Sequence, residues 1–259
     1  MAKNYLTYPF AVMRITQRYD GETSHKPHMT GDPKEWALDE GEKDTGRGWV
    51  LCPCDEMKVA KLTGVGTKGT NALYLTSTTK CDLANGKQSI ATVQLVHPND
   101  DDLKKLHAGQ TFKRGEKICR EGNDGATGYH IHMAVGLGTI VGTGWQKNSK
   151  GKWVLVTTGG PIKPEDAFWI DPAVTTVMNA AGLKFKTVPA QKPAPGKYRV
   201  TVNVLNVRTG TSTRLSVRAV LGKGSTVEIT KVKTGLDGEV WGKVDGKGWV
   251  RMEYLEAVK

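Results

Sequence analysis

Met57-Lys-Val-Ala-Lys-Leu62, Ala72-Leu-Tyr-Leu-Thr-Ser77 and Ile90-Ala-Thr-Val-Gln-Leu-Val96 decide the fold. Each is a short run of strand formers, and the breaks between them are turn formers: a glycine-rich stretch from Gly64 to Gly69 and the pair Asn85-Gly86. Strands this close in sequence pair antiparallel, because a tight turn cannot make a parallel crossover. A further strand is expected after Gly128, and Trp153 to Thr158, after the turn Asn148-Ser-Lys-Gly151, reads as one arm of a hairpin. Pro172 to Ala181 is the one good helix candidate, with Asp171 as its N-cap and Gly182 just beyond its end. The expected fold class is mainly β.

With 259 residues the chain is long enough for one sizeable core and a second small domain. The boundary is read from Lys184-Phe-Lys-Thr-Val-Pro-Ala-Gln-Lys-Pro-Ala-Pro-Gly196, whose three prolines and lack of periodicity suit an extended linker. Domains are therefore expected at 1–183 and 197–259, joined by 184–196. Beyond the linker, Tyr198 to Val207, Ser216 to Leu221, Thr226 to Val232, Trp241 to Val244 and Gly248 to Arg251 are short β segments separated by tight turns. A small closed barrel is the expected way for such a chain to bury a core.

The formal charge of +11 points to an acidic partner: nucleic acid, anionic membrane or anionic cell wall. The excess is densest after residue 196, with 12 Lys/Arg against 6 Asp/Glu. These basic residues alternate with apolar ones, so a solvated strand face explains them as well as a binding surface does. Met1-Ala-Lys-Asn-Tyr-Leu-Thr-Tyr-Pro-Phe10 holds no apolar run of signal-peptide length, and no segment approaches membrane-spanning length. Synthesis in the cytoplasm, without membrane insertion, is the expectation. Cys52, Cys54, Cys81 and Cys119 match neither a disulfide framework nor zinc-knuckle spacing, so reduced thiols are expected, and Cys119 lies in an apolar segment unsuited to a nucleophile.

All six histidines fall between positions 25 and 132. The sharpest element is His130-Ile-His132 within Gly128-Tyr-His-Ile-His-Met-Ala-Val135. Side chains two apart on a strand share a face, so two imidazoles enter one pocket while Ile131 and Met133 turn to a core. Around this pair stand Ser24-His25-Lys-Pro-His28, the stretch Trp36-Ala-Leu-Asp39, the strand end Val96-His97 and the glycine-rich approach Gly122-Asn-Asp-Gly-Ala-Thr-Gly128. A catalytic zinc takes three protein ligands from His nitrogen and carboxylate oxygen and keeps one position open. His107 and the acid run Asn99-Asp-Asp-Asp102 read as surface and solvated loop.

Taken in order, Thr16-Gln17, Ser24-His25 with Ala37-Leu-Asp39, Cys52-Pro-Cys-Asp-Glu-Met-Lys-Val59, Val96-His97, Gly109-Gln110 with Arg114-Gly-Glu-Lys-Ile118, and Gly125-x-x-Gly-Tyr-His-Ile-His132 resemble the lysostaphin-like zinc endopeptidases, which cut peptidoglycan stem peptides or cross-bridges. The resemblance covers roughly residues 12 to 140. It implies an antiparallel β-sheet peptidase domain, zinc (Zn2+) held by His25, Asp39 and His132, and His97 and His130 as catalytic residues that orient water, stabilise the oxyanion and pass a proton to the leaving amine. It departs from the family between His25 and Asp39, where the usual short spacing is lengthened by an insertion. His28-Met-Thr-Gly-Asp32 satisfies that spacing literally, so His28 and Asp32 stay open as alternative ligands, with Asp39 preferred because Gly31-Asp-Pro33 reads as a turn.

The region after the linker resembles the bacterial Src homology 3-like domain through Leu205-Asn-Val-Arg208, Val220-Leu-Gly-Lys-Gly224, Val227-Glu-Ile229, Trp241-Gly-Lys-Val244 and Gly248-Trp-Val250. Such domains commonly bind cell-wall peptide. The two resemblances together imply an endolysin-type architecture whose partner is bacterial peptidoglycan, not nucleic acid, and which acts on the wall after release from the cell; a monomer is assumed, since the sequence does not give the oligomeric state. The principal rival is an inactive wall-binding or phage-tail structural protein. A nucleic-acid binder explains the charge but not the histidines, and a glycan-cleaving enzyme needs paired carboxylates that do not stand out.

Overall fold

The strands marked out by runs of strand formers lie side by side: Glu56–Thr63 pairs with Ala72–Ser77, which pairs with Ala91–Val96, both antiparallel. The structure is a computed structural model describing residues 3–20, 36–41, 48–67, 71–126, 128–147, 151, 153–189, 193–235 and 238–258. Among these residues an eight-stranded sheet runs in the order Thr176–Asn179, Val12–Gln17, Leu38–Glu40, Ile131–Leu137, Ala91–Val96, Ala72–Ser77, Glu56–Thr63, Thr111–Lys113. Its first pair is parallel and every other neighbouring pair antiparallel. The protein is mainly β.

Side-chain alternation divides the sheet into two working faces. Ile131, Met133, Val93, Leu95, Leu73, Leu75, Met57 and Val59 enter one large core, together with Tyr8, Phe10 and Phe168. Fully burying each such side chain is worth about 1.5–3 kcal/mol, so this face supplies most of the drive to fold. Glu40 points to the same side, where it accepts from the Tyr8 hydroxyl and the Arg14 N–H. Burial pushes its carboxyl up to about 8. The opposite face carries Ala72, Tyr74, Val96 and Ala134, covered by Leu155, Ile140 and Trp145 of the antiparallel pair Ile140–Lys147 and Trp153–Thr157. Polar groups there are paired: the Thr76 and Thr92 hydroxyls lie 2.8 Å apart, and Gln94 Nε2 donates to the Tyr74 hydroxyl at 3.3 Å.

Two expectations are corrected. Pro172 to Ala181 is not a helix. Asp171 does organise one turn, accepting from the Ala173 N–H through its side chain and from Val174 and Thr175 through its carbonyl. Thr176–Asn179 then extends along Val12–Gln17 as an edge strand. The acid run is not a solvated loop: Asp100–Leu103 is a helical turn capped by Asn99, and Asp102 is buried against Arg120.

The chain divides into two compact units, Met1–Val188 and Pro189–Lys259. In the second, seven strands pair in the order Val217–Gly222, Val204–Arg208, Gly248–Arg251, Val240–Val244, Thr226–Thr234, Gly196–Val200, Leu255–Ala257. The stretch from Tyr198 to Val207, read as one segment in the sequence, is divided between two of these strands. Their core is Tyr198, Val200, Leu205, Val207, Leu221, Val227, Ile229, Val244, Val250 and Met252. Among the described residues, hydrogen-bonded pairing leaves Val217–Gly222 and Leu255–Ala257 as the two edges. Closure of the sheet into a barrel is thus not drawn by its ladder.

Candidate functional site

Register alone brings the central pair together. His132 stands opposite Asp39 on one side and Val96 on the other, and the next pair outward sets Gln17 against Asp39. Residues directly opposite on one face hold their side chains within contact, so the carboxylate and the imidazole meet without help from a loop. His132 donates from Nδ1 to Asp39 Oδ1 at 3.0 Å, and Gln17 Nε2 donates to Asp39 Oδ2 at 3.2 Å. His130, two residues before His132 and on the same face, puts Nε2 4.0 Å from Asp39 Oδ1.

His97 reaches this face by breaking the alternation. In Ala91–Val96 the residues Val93 and Leu95 face the core and Val96 the other side, so an extended His97 points to the core. Its φ of 68° turns it back, and its ring lies 4.9 Å from that of His130. Left-handed backbone at a non-glycine residue costs about 1–3 kcal/mol and persists where the surroundings enforce it. Gly122 is part of that enforcement. A Cβ there would lie 2.5 Å from the His97 carbonyl oxygen and 2.7 Å from the Pro98 carbonyl, while the Gly122 carbonyl accepts from the His130 N–H at 3.0 Å. One backbone segment without a side chain thus packs against both histidines.

The segment from Gly122 to Gly128 also sets their tautomers. His97 donates from Nδ1 to the Asp124 carbonyl at 2.6 Å, and His130 from Nδ1 to the Gly128 carbonyl at 3.0 Å. With Nδ1 as donor, each Nε2 is left with a lone pair when the ring is neutral. Burial, and then the neighbouring His130 and His132, hold the His97 pKa below the usual histidine value, so its neutral form is favoured. Beside His97, a cavity of about 560 Å3 is lined by Gly66, Pro98, Asp100, Gly122 and Asp124 among others.

No family model and no curated protein sequence matches the chain. Solved structures similar to it include lysostaphin in solution, at 15% identity and a TM-score of 0.32 over 83% of this chain and 80% of that one. Another is the antimicrobial peptidase lysostaphin from Staphylococcus simulans, at 15% identity and a TM-score of 0.31 over 83% of this chain and 81% of that one. Values this low decide nothing about activity, and the functional reading rests on the side chains.

Of the residues singled out in the sequence, Asp39, His97, His130 and His132 gather at one place. His25, with its alternatives His28 and Asp32, lies outside the described residues. Imidazole nitrogen and carboxylate oxygen, 3.0 Å apart and joined by a proton that a cation can replace, are a donor pair that zinc accepts. Among the described residues no group of three His, Cys, Asp or Glu completes a metal set. His107 is exposed. Gln17 and Gly122 had no assigned role in the sequence reading. Gln17 entered only within the Thr16-Gln17 pair that opens the ordered motifs, and Gly122 only as one glycine in a glycine-rich run.

Proposed function

We propose that this chain is a zinc-dependent endopeptidase that cuts the peptide part of bacterial peptidoglycan, and that its second unit, a Src homology 3-like module, binds the wall. The observation that carries the reading is the meeting of the Asp39 carboxylate and His132 Nδ1 beside two further imidazoles, His97 and His130, on one sheet face. His132, Asp39 and, on the family resemblance, His25 would hold the ion. Bound zinc would polarise a scissile carbonyl and acidify water.

The chain's own residues do the rest. Gln17 fixes the Asp39 carboxylate through Oδ2, leaving Oδ1 toward the histidines. A neutral His97 takes a proton at Nε2, and the positive charge that follows is countered by Asp39 nearby. His130, with Nε2 close to Asp39, is placed, once that nitrogen has taken up a proton, to donate to a developing oxyanion or to hand the proton to the leaving amine. The glycines of the approach allow an extended peptide to run close to the backbone.

The ordered motifs from Thr16 to His132 support a peptidoglycan substrate, and the +11 charge suits an anionic wall. On this reading the protein is a monomer made in the cytoplasm that acts on the wall after release, with neither nucleic acid nor membrane insertion involved. The test is to incubate purified peptidoglycan with zinc-quantified protein and with His132→Ala, following new free amines and new reducing ends. Amine release that requires zinc and His132 is expected. Reducing ends would mean glycan cleavage, and neither product from zinc-loaded protein on several wall types would favour the inactive binding protein.

A further inference from the structure

Three of the four cysteines meet far along the sheet from the histidines, at the start of the Glu56–Thr63 strand. Cys52, Cys54 and Cys81 are free and at most 2% exposed. Cys54 precedes Glu56–Thr63, and Cys81 follows its partner Ala72–Ser77. In that ladder Met57 is opposite Ser77, and the Thr78 N–H donates to the Glu56 carbonyl at 3.1 Å. Continued outward, the same antiparallel register sets residue 54 opposite residue 80, next to Cys81. Asn4 spans the gap: its Nδ2 donates to Cys81 Sγ at 3.8 Å, and its Oδ1 accepts from the Asp55 N–H at 2.8 Å. The Cys54 thiol is within hydrogen-bonding reach of both the Cys52 and Cys81 thiols.

We propose that Cys54 and Cys81 are a modification site, forming a reversible disulfide that ties the Cys52–Asp55 segment to the chain leaving the Ala72–Ser77 strand. The oxidant is a peroxide, small enough to enter a buried cluster. The Cys81 thiolate attacks one peroxide oxygen; the S–O bond forms, the O–O bond breaks and hydroxide leaves. The Cys54 sulfur then attacks the sulfenic sulfur of Cys81; the S–S bond forms, the S–O bond breaks, and hydroxide departs as water with the Cys54 proton. Two thiols and one hydrogen peroxide become one disulfide and two waters. Cys81 is the better attacking group. The neighbouring Cys54 thiol and the Arg114 guanidinium both favour its thiolate. Arg114 is fixed there by the Pro53 carbonyl at 3.2 Å and Asn4 Oδ1 at 3.1 Å. Cys52 makes a poorer partner, because a bridge to Cys54 would span Pro53 alone and cross-link nothing.

The test exposes the folded full-length protein to hydrogen peroxide, quenches it, alkylates it unfolded and maps its peptides by mass spectrometry. A Cys54–Cys81 peptide lighter by two hydrogens is expected, reversed by dithiothreitol, with Cys119 still alkylated. The cross-link should persist in Cys52→Ser and raise the denaturation temperature of the wild type but not of Cys81→Ser. A Cys52–Cys54 bridge, sulfinic acid at Cys81 without a bridge, or four alkylated cysteines would each overturn it. The wild-type map stands even where a Cys54→Ser variant does not fold.

Discussion

His97 carries two constraints at once, an imidazole for chemistry and a left-handed backbone at φ 68° that aims it. Substitution separates them. His97→Ala and His97→Asn both remove the base, and both should slow peptide hydrolysis by about a hundredfold or more. Asn tolerates the left-handed region better than Ala, so in urea denaturation His97→Asn should be the more stable of the two by roughly 0.5–1 kcal/mol. Equal stabilities would remove the strain argument. Gly122 makes the complementary case. A methyl group there meets backbone at 2.5 Å, which cannot move as a flexible side chain would, so Gly122→Ala should cost about 1–3 kcal/mol in the same assay and lower activity through both histidines. Among the residues proposed for the site, His130 and His132 were legible because their spacing puts them on one strand face by parity, and Asp39 through the family resemblance and the apolar stretch that leads into it. The turn at His97 was not, since nothing in Val96-His97-Pro98 reports the sign of φ. Nor was Gly122, whose need for a missing side chain arises from a segment distant in sequence.

At the scale of elements, the link between Asp102 and Arg120 holds the turn after His97-Pro98 against the strand Lys117–Arg120. Arg120 donates from Nε to Asp102 Oδ2 at 2.7 Å and from its terminal nitrogen to Oδ1 at 2.8 Å, while its N–H donates to Oδ2 at 3.1 Å. Hydrogen bonding and charge from Arg120 hold the Asp102 carboxyl below its ordinary value of 3.8. A depressed carboxyl contributes stability that is present above its unfolded value and lost as pH falls through the folded one. Arg120→Ala should therefore be destabilising near neutral pH, with a deficit that shrinks as pH falls through the ordinary carboxylate range and then through the lower folded value of Asp102. Chemical denaturation across that range checks it; a deficit independent of pH would assign the loss to packing. The acid run was misread because three successive aspartates look solvated, and only the fold supplies the arginine that buries one of them. Pro172 to Ala181 was misread for a related reason. Its cap residues act over a single turn, and pairing with Val12–Gln17 then suits the β-branched Thr175-Thr176-Val177 better than helix does. Ala72–Ser77 and Ala91–Val96 were readable because both their faces are buried, whereas Thr176–Asn179, exposed along its length, carries no such pattern.

For the whole molecule, the two units have separate hydrophobic cores, one assembled around Leu73, Leu95 and Met133, the other around Val207, Ile229 and Val250. Separate cores melt as separate cooperative units, so calorimetry should resolve two transitions, and Gly122→Ala should lower only that of the first unit. A single transition displaced as one would mean the cores fold as one. The charge divides just as unevenly, with twice as many basic as acidic residues after residue 196. If the second unit holds an anionic wall through that excess, the attraction acts over a screening length of about 8 Å at 0.15 M salt and about 3 Å at 1 M. Sedimentation of full-length protein with purified walls should then show retention falling steeply between those salt concentrations. Retention that survives 1 M salt would instead assign wall binding to uncharged contacts, made by apolar and aromatic side chains, and leave the basic residues as solvated strand faces.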